Sequence, residues 1–219
     1  MRSDLAEYKS GSRVRMESLL LNQYLKPGRE LYARVSGGYY EDMFAGVGGQ
    51  VLYWPEGQNW AIDVAIDALR QRSSETPFGF REYDTVTAIG SLHYRLPELG
   101  VTATARVGRF LAKDNGVRFE LSRRFRSGIE FGVWYTVTDG NDITTPGSPA
   151  SPYHDKGFFF SIPIASLLTR DTRTTAGFSL SPWTRDVGQM VASPGDLYRL
   201  VEFNRPNSDE LNPYSGFGQ

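Results

Sequence analysis

The chain has 219 residues, 24 Lys plus Arg against 25 Asp plus Glu, 13% aromatic residues and no cysteine. This excludes a disulfide framework or cysteine metal site, a nucleic-acid binder working through a basic face, and a disordered chain. No apolar run approaches the about 20 residues of a helical membrane span, but a transmembrane β-barrel survives, because only every second residue of its strands must be apolar.

Residues 1–12 are polar, with no basic stretch leading into an apolar one, so they do not form a secretion signal. From residue 13 to residue 204 the apolar pattern has a period of two, the mark of strands with one apolar and one polar face. Strands are predicted near Arg13–Asn22, Glu30–Tyr39, Ala45–Trp54, Trp60–Arg70, Asp84–Arg95, Val101–Phe110, Gly116–Phe125, Ile129–Thr138, Lys156–Ile164, Thr174–Trp183 and Asp196–Phe203. In the second, Ala33 and Val35 oppose Arg34 and Ser36. In the fourth, Ile62, Val64 and Ile66 oppose Asp63 and Asp67; in the fifth, Val86, Leu92 and Tyr94 oppose Thr85, Thr87, Ser91 and His93. Further on, Val117, Phe119 and Leu121 oppose Arg118, Glu120 and Arg124, and Phe131, Val133 and Tyr135 oppose Glu130, Gly132 and Trp134. Arg126-Ser127-Gly128 and Asp114-Asn115-Gly116 supply turns. Gln71–Tyr83 and Asp139–Asp155 are the longer loops, and Pro163 marks a bulge or strand end. No segment carries the apolar spacing and cap of a helix. Residues 205–219 hold Pro206, Pro213, Gly216 and Gly218 without periodicity and form a tail.

The expected fold is all-β: an antiparallel up-and-down transmembrane β-barrel of roughly 10–12 strands. Three features favour membrane over water. The segments match the about nine to eleven residues of a spanning strand. The polar faces mix arginine with carboxylates and small residues, which suits a lumen where charges pair across strands. Aromatic residues sit near segment ends, at Tyr39, Tyr53, Trp54, Trp60, Tyr94, Phe110, Phe125, Trp183 and Phe203, as in interfacial girdles. The alternative is a soluble ligand-binding barrel with its apolar face inside and Arg106, Arg118, Glu120 and Arg124 solvated.

The lumen face holds the candidate site residues Arg34, Asp63, Asp67, Arg106, Arg118, Glu120, Arg124 and Glu130. They form a charge network in which Asp63 and Asp67 pair with neighbouring arginines, and the arginines offer contacts to an anionic glycan. Ser91 and His93 put a hydroxyl and an imidazole on that face; with no orienting carboxylate evident, an acyl hydrolase is a minor reading. Asp63 and Asp67, four residues apart on one strand, are separated by about 13 Å, too far for a glycosidase pair. With His93 and His154 the only histidines, no metal site or cofactor is expected. Gly46-Val47-Gly48-Gly49 is no phosphate loop and instead relieves crowding or lets a strand bend.

Several strings in order resemble the YjbH-like exopolysaccharide proteins. They are Glu41-Asp42-Met43-Phe44-Ala45-Gly46-Val47-Gly48-Gly49-Gln50-Val51-Leu52-Tyr53, Arg70-Gln71-Arg72, Phe78-Gly79-Phe80-Arg81-Glu82-Tyr83 and Val107-Gly108-Arg109-Phe110-Leu111-Ala112-Lys113-Asp114-Asn115-Gly116. Ser122-Arg123-Arg124-Phe125, Asp155-Lys156-Gly157 with Ile162-Pro163, and Thr184-Arg185-Asp186-Val187-Gly188 continue the series. The resemblance implies an outer-membrane barrel of Gram-negative bacteria, not an enzyme, that assists export or surface assembly of an extracellular polysaccharide. The implied partners are outer-membrane lipid, that polysaccharide and other envelope proteins of the same system, and no nucleic acid. It also implies that the chain corresponds to the C-terminal part of a longer, secreted protein, as a fragment or truncated product.

Overall fold

The computed structural model describes residues 4, 7–8, 16–76, 78–125, 128–140, 154–163, 175–180 and 186–204. These form β1 (Leu19–Leu25), β2 (Leu31–Tyr39), β3 (Phe44–Tyr53), β4 (Trp60–Arg72), β5 (Phe80–Leu96), β6 (Val101–Arg109), β7 (Asn115–Arg124), β8 (Glu130–Thr138), β9 (Asp155–Pro163) and β10 (Thr175–Leu180), followed by one helix, α1 (Leu197–Asn204). Each strand pairs antiparallel with its sequence neighbour, so the ten lie in one sheet in chain order. The fold is thus all-β and up-and-down. Among the described residues β1 and β10 do not pair, so the expected closure into a barrel is not seen.

The alternation read from the sequence becomes two chemically opposite faces. Val35, Val47, Ile62, Val64, Ile66, Val86, Leu92, Val107, Phe119, Leu121 and Val133 point outward and are exposed. Leu21 reaches 80% exposure, while Arg34 is 2% exposed. The polar face is covered instead: Ser36, Gln50, Asp63, Asp67, Thr87, Ser91, His93 and Thr104 are buried. The arrangement reverses that of a water-soluble sheet. It also reverses the soluble-barrel alternative, because the apolar residues lie outside and the Arg106, Arg118 and Glu120 side chains are only 16%, 14% and 12% exposed.

Among the described residues two pieces of chain cover the polar face. At one end Tyr8 packs with Tyr40, Met43, Phe44, Leu69 and Leu111. At the other, α1 buries Leu197, Tyr198 and Val201 against Leu52, Trp54 and Ala61. This helix stands where a strand was expected at Asp196–Phe203. Its signals are local: Asp196 caps the helix by accepting from the Arg199 N–H at 3.1 Å, and Leu197, Tyr198 and Val201 share one helical face.

Other expectations shift at the edges. The predicted Gln71–Tyr83 loop is shorter, because β4 runs to Arg72 and β5 begins at Phe80, with a bulge between Arg70 and Arg72. The tight turn before β7 is Phe110–Asp114, with Lys113 at φ 68°; Asn115 and Gly116 already belong to the strand. Strand β9 runs to Pro163, and residues 164–174 lie outside the described ones. Arg126 and Ser127 lie outside the described residues, but Phe125 donates to Ile129 at 2.8 Å and closes that hairpin. Tyr53, Trp60 and Tyr94 cluster at one end of β3–β5: Tyr53 meets Trp60 at 6.0 Å between ring centroids, and Trp60 sits opposite Tyr94. Trp54 and Phe110, also expected at a girdle, face inward and are fully buried. Trp183, the side chain of Phe203 and residues 205–219 lie outside the described ones.

Gly48 shows what the glycine string does. A Cβ there would fall 1.9 Å from Asp67 Oδ1 and 2.7 Å from the Tyr40 hydroxyl. Its hydrogen side therefore leaves room for the buried Tyr40–Asp67 hydrogen bond. Gly48→Ala is expected to break that bond and lower stability by about 1–3 kcal/mol, the usual cost of a buried polar group left unsatisfied. Denaturant unfolding of the variant measures it; an unchanged midpoint would contradict the assignment.

Candidate functional site on the covered polar face

The site is the inward face of β2–β9 together with the chain segment 186–204 that lies on it. Four polar groups can be followed along it.

The first centres on Asp63 of β4. Register places it opposite Ser91 of β5 and Leu52 of β3. Gln50 Nε2 donates to Asp63 Oδ1 at 3.1 Å, and Ser91 Oγ donates to the same oxygen at 3.4 Å. His93 Nε2 donates to Asp63 Oδ2 at 2.6 Å, while His93 Nδ1 lies 3.0 Å from Thr104 Oγ1 on β6. A carboxylate, an imidazole and a hydroxyl thus stand in line, a geometry also found where an oxygen nucleophile is activated. The carboxylate that the sequence did not reveal is present. However, Ser91 bonds that carboxylate, and the Tyr198 ring stacks over His93 at 3.7 Å and 7°. Thr104 and His93 are buried. This triad is therefore a satisfied, covered hydrogen-bond line.

The second joins Arg34, Ser36, Tyr40 and Asp67. The Tyr40 hydroxyl donates to Asp67 Oδ1 at 3.0 Å and meets Ser36 Oγ at 2.6 Å. Burial pushes the Tyr40 phenol up to about 12, and the Asp67 charge adds to the shift. Arg34 Nη2 donates to Ser193 Oγ at 2.7 Å and Nη1 to the Pro194 carbonyl at 3.3 Å.

In the third, Arg106 meets Glu120 at 3.1 Å, and Arg118 lies 3.8 Å from Glu120 and 3.6 Å from Asp155. The Arg118 guanidinium sits 4.8 Å from the Trp134 ring centroid, and the indole N–H donates to Asp155 at 2.8 Å. In the fourth, Arg124 reaches Glu130 at 3.5 Å and Glu202 of α1 at 3.1 Å, with Arg95 3.8 Å from Glu202.

All eight residues expected in the network therefore share the inward face. The pairing differs at three of them, and Arg34 bonds Ser193 and the Pro194 carbonyl. Asp63 and Asp67 bond to His93, Gln50, Ser91 and Tyr40, where arginine partners were expected. Sequence reasoning missed Gln50, Arg95, Asp155, Asp196, Tyr198 and Glu202. Asp155 sits on the polar parity of β9 and was findable; Glu202 was hidden by reading α1 as a strand. Between the sheet and segment 190–196 a cavity of ≈ 70 Å³ remains, lined in part by Arg34, Gln50, Asp63, Asp67, Arg106 and Asp196. Among the described residues no cluster of three or more His, Asp or Glu is set to hold a metal ion.

The family model described as "Exopolysaccharide biosynthesis protein YbjH" matches residues 1–202. The chain belongs to the YjbH family. It is 32% identical over 207 residues to a protein of Escherichia coli (strain K12) described as "Uncharacterized lipoprotein YjbH", covering 92% of this chain and 29% of that relative. The chain thus spans well under half the relative's length. No solved structure matches it.

Asp63 is the hub of the first group. Asp63→Ala leaves the Gln50 amide, the Ser91 hydroxyl and the His93 N–H short of their acceptor. The expected loss is about 1–3 kcal/mol for each buried group left unsatisfied, read as a fall in the thermal unfolding midpoint. Asp63→Asn, which keeps a carbonyl acceptor, is expected to lose less; equal losses would contradict the hydrogen-bond account.

Proposed function

We propose that this YjbH-family chain forms part of the wall of an outer-membrane β-barrel that assists export or surface assembly of an extracellular polysaccharide without catalysing a reaction. The observation that carries the reading is the inverted sheet. A continuous band of Val, Ile, Leu and Phe side chains faces outward from β1 to β10, while the charged residues midway along the strands face inward and the outward ones, such as Arg70, Asp84, Arg109, Arg123 and Lys156, lie toward strand ends. Monomeric proteins in water rarely expose so large an apolar patch. A lipid bilayer solvates it, and a barrel wall in lipid has this parity.

Strand length supports the same reading. Strands β2, β6, β8 and β9 have nine residues, β3 and β7 ten, β4 thirteen and β5 seventeen. A tilted spanning strand needs about nine to eleven. The Tyr53, Trp60 and Tyr94 cluster suits an interface between lipid and water. In lipid the free edges of β1 and β10 would leave backbone N–H and C=O groups unpaired. Closure of the sheet satisfies those edges. The description of the family supports a polysaccharide as the cargo, and that of the Escherichia coli relative as a lipoprotein supports an envelope location shared with other proteins of such a system. The burial of Ser91, His93 and Thr104 supports a role without catalysis.

The test uses the chain fused to a secretion signal. Recovery in the outer-membrane fraction with heat-modifiable gel migration is expected; recovery as a soluble monomer without detergent would overturn the reading. A substitution sharpens it. Val64→Arg on the outward face costs about 2–4 kcal/mol at a bilayer midplane but stays within about 0.5 kcal/mol on a surface in water. Loss of the heat-modifiable form in this variant is expected, and unchanged recovery would count against lipid contact.

A further inference from the structure

Besides Leu197 and Val201, which pack with Leu52, Trp54 and Ala61, helix α1 touches the wall through an aromatic ring and a carboxylate. The Tyr198 ring stacks on Trp54 at 5.1 Å and 9° and on His93 at 3.7 Å and 7°. One turn later Glu202 lies 3.1 Å from Arg124 and 3.8 Å from Arg95, and the Thr102 hydroxyl reaches it at 3.5 Å. The Arg95 guanidinium sits 5.7 Å from the Trp54 ring centroid. The wall therefore joins a flat aromatic surface to a basic cradle, and its components come from the end of β3, β5, β6 and β7.

We propose that this wall is a saccharide-binding site for an acidic sugar residue, occupied in the observed state by Tyr198 and Glu202 of the chain's own helix. Ring and carboxylate on one helical face stand about 5–6 Å apart at their Cβ atoms. A uronic acid presents a comparable pair, a ring with apolar C–H faces and a carboxylate beside it. Aromatic faces carry negative quadrupole charge and attract such C–H groups, and guanidiniums hold carboxylates through paired N–H donors. Charge selects the sugar. When Glu202 leaves, a carboxylate is withdrawn from two guanidiniums, Arg95 and the partly exposed Arg124. A neutral sugar does not replace it, whereas an acidic one does.

The helix is suited to leave. It has eight residues, and helices this short are marginal without tertiary contacts. The segment leading into it is held by polar contacts of the type that sugar hydroxyls can replace: Asn22 and Arg34 to the Pro194 carbonyl, Tyr24 to the Gly195 carbonyl, and Gln50 to Asp196. Their donors come from β1, β2 and β3. The inference rests on the polysaccharide reading above and adds the class of sugar and the element that competes with it.

The test titrates the full chain, in detergent, with oligogalacturonate as the acidic probe and dextran oligosaccharides as the neutral one. Glu202→Gln, which keeps the side-chain shape, is expected to tighten oligogalacturonate binding about tenfold or more, the scale of one charge-assisted hydrogen bond. Tyr198→Ala acts in the same direction; should it fail to fold by circular dichroism, Glu202→Gln carries the test. Adding Arg124→Gln or Arg95→Gln to Glu202→Gln is expected to abolish the gain, with dextran binding unmoved throughout. No gain in Glu202→Gln, or an equal gain for dextran, overturns the proposal. Membrane recovery is read separately: a soluble chain with a positive titration sinks the barrel and leaves this site standing.

Discussion

Charged groups that face away from water must find partners, and among the described residues the inward face of this sheet gathers many of them. Ionised side chains lose several kcal/mol of solvation when covered, even after relaxation. The sheet answers with short cross-strand bonds. Asp63 collects Gln50, Ser91 and His93; Glu120 takes Arg106 with Arg118 beside it; Asp155 takes the Trp134 indole N–H and lies near Arg118. Where the strands alone do not suffice, segment 186–204 supplies the missing groups. Ser193 and Pro194 receive Arg34, and Glu202 sits between Arg95 and Arg124. The covering segment is thus part of the electrostatic balance of the wall as well as a lid upon it.

The period-two pattern made the strands and their faces legible, because a side chain's face on a strand follows from parity alone. Arg34, Asp63, Asp67, Arg106, Arg118, Glu120, Arg124 and Glu130 all fell on the face expected of them. Their partners were not legible, because these depend on register between strands. Nothing local in Ser91-Leu92-His93 reveals that Asp63 lies opposite Ser91. The helix failed for a different reason. Leu197, Tyr198, Leu200 and Val201 fit a helix and, less well, a strand; in eight residues the Asp196 cap was the deciding feature. Trp54 and Phe110 show that position near a strand end does not fix direction: each follows the last residue of its strand and turns inward.

The two faces divide the functional argument between them. The outward face speaks to the medium, and its apolar band is difficult to reconcile with water. In the proposed reading the inward face meets a glycan, and its arginines, hydroxyls and stacked rings have the chemistry for such contact. The chain belongs to a family described by exopolysaccharide biosynthesis, and the proposed reading joins the two faces on that ground. In the state observed the inward face is occupied by the chain itself, with a cavity of only ≈ 70 Å³ beneath the covering segment. Passage or binding of a sugar chain there would require α1 to move.

The central claim is that the outward face meets lipid. The natural absence of cysteine allows single spin labels at chosen positions. Labels introduced by Val64→Cys and Ala65→Cys would sit next to each other on opposite faces of β4, one exposed and one half-buried. In bilayers, oxygen concentrates among the acyl chains and a water-soluble nickel chelate is excluded from them. The account predicts that the label at residue 64 is relaxed by oxygen and insensitive to nickel, and that the label at residue 65 is poorly relaxed by oxygen. Strong relaxation of the residue-64 label by nickel would place that face in water and contradict it.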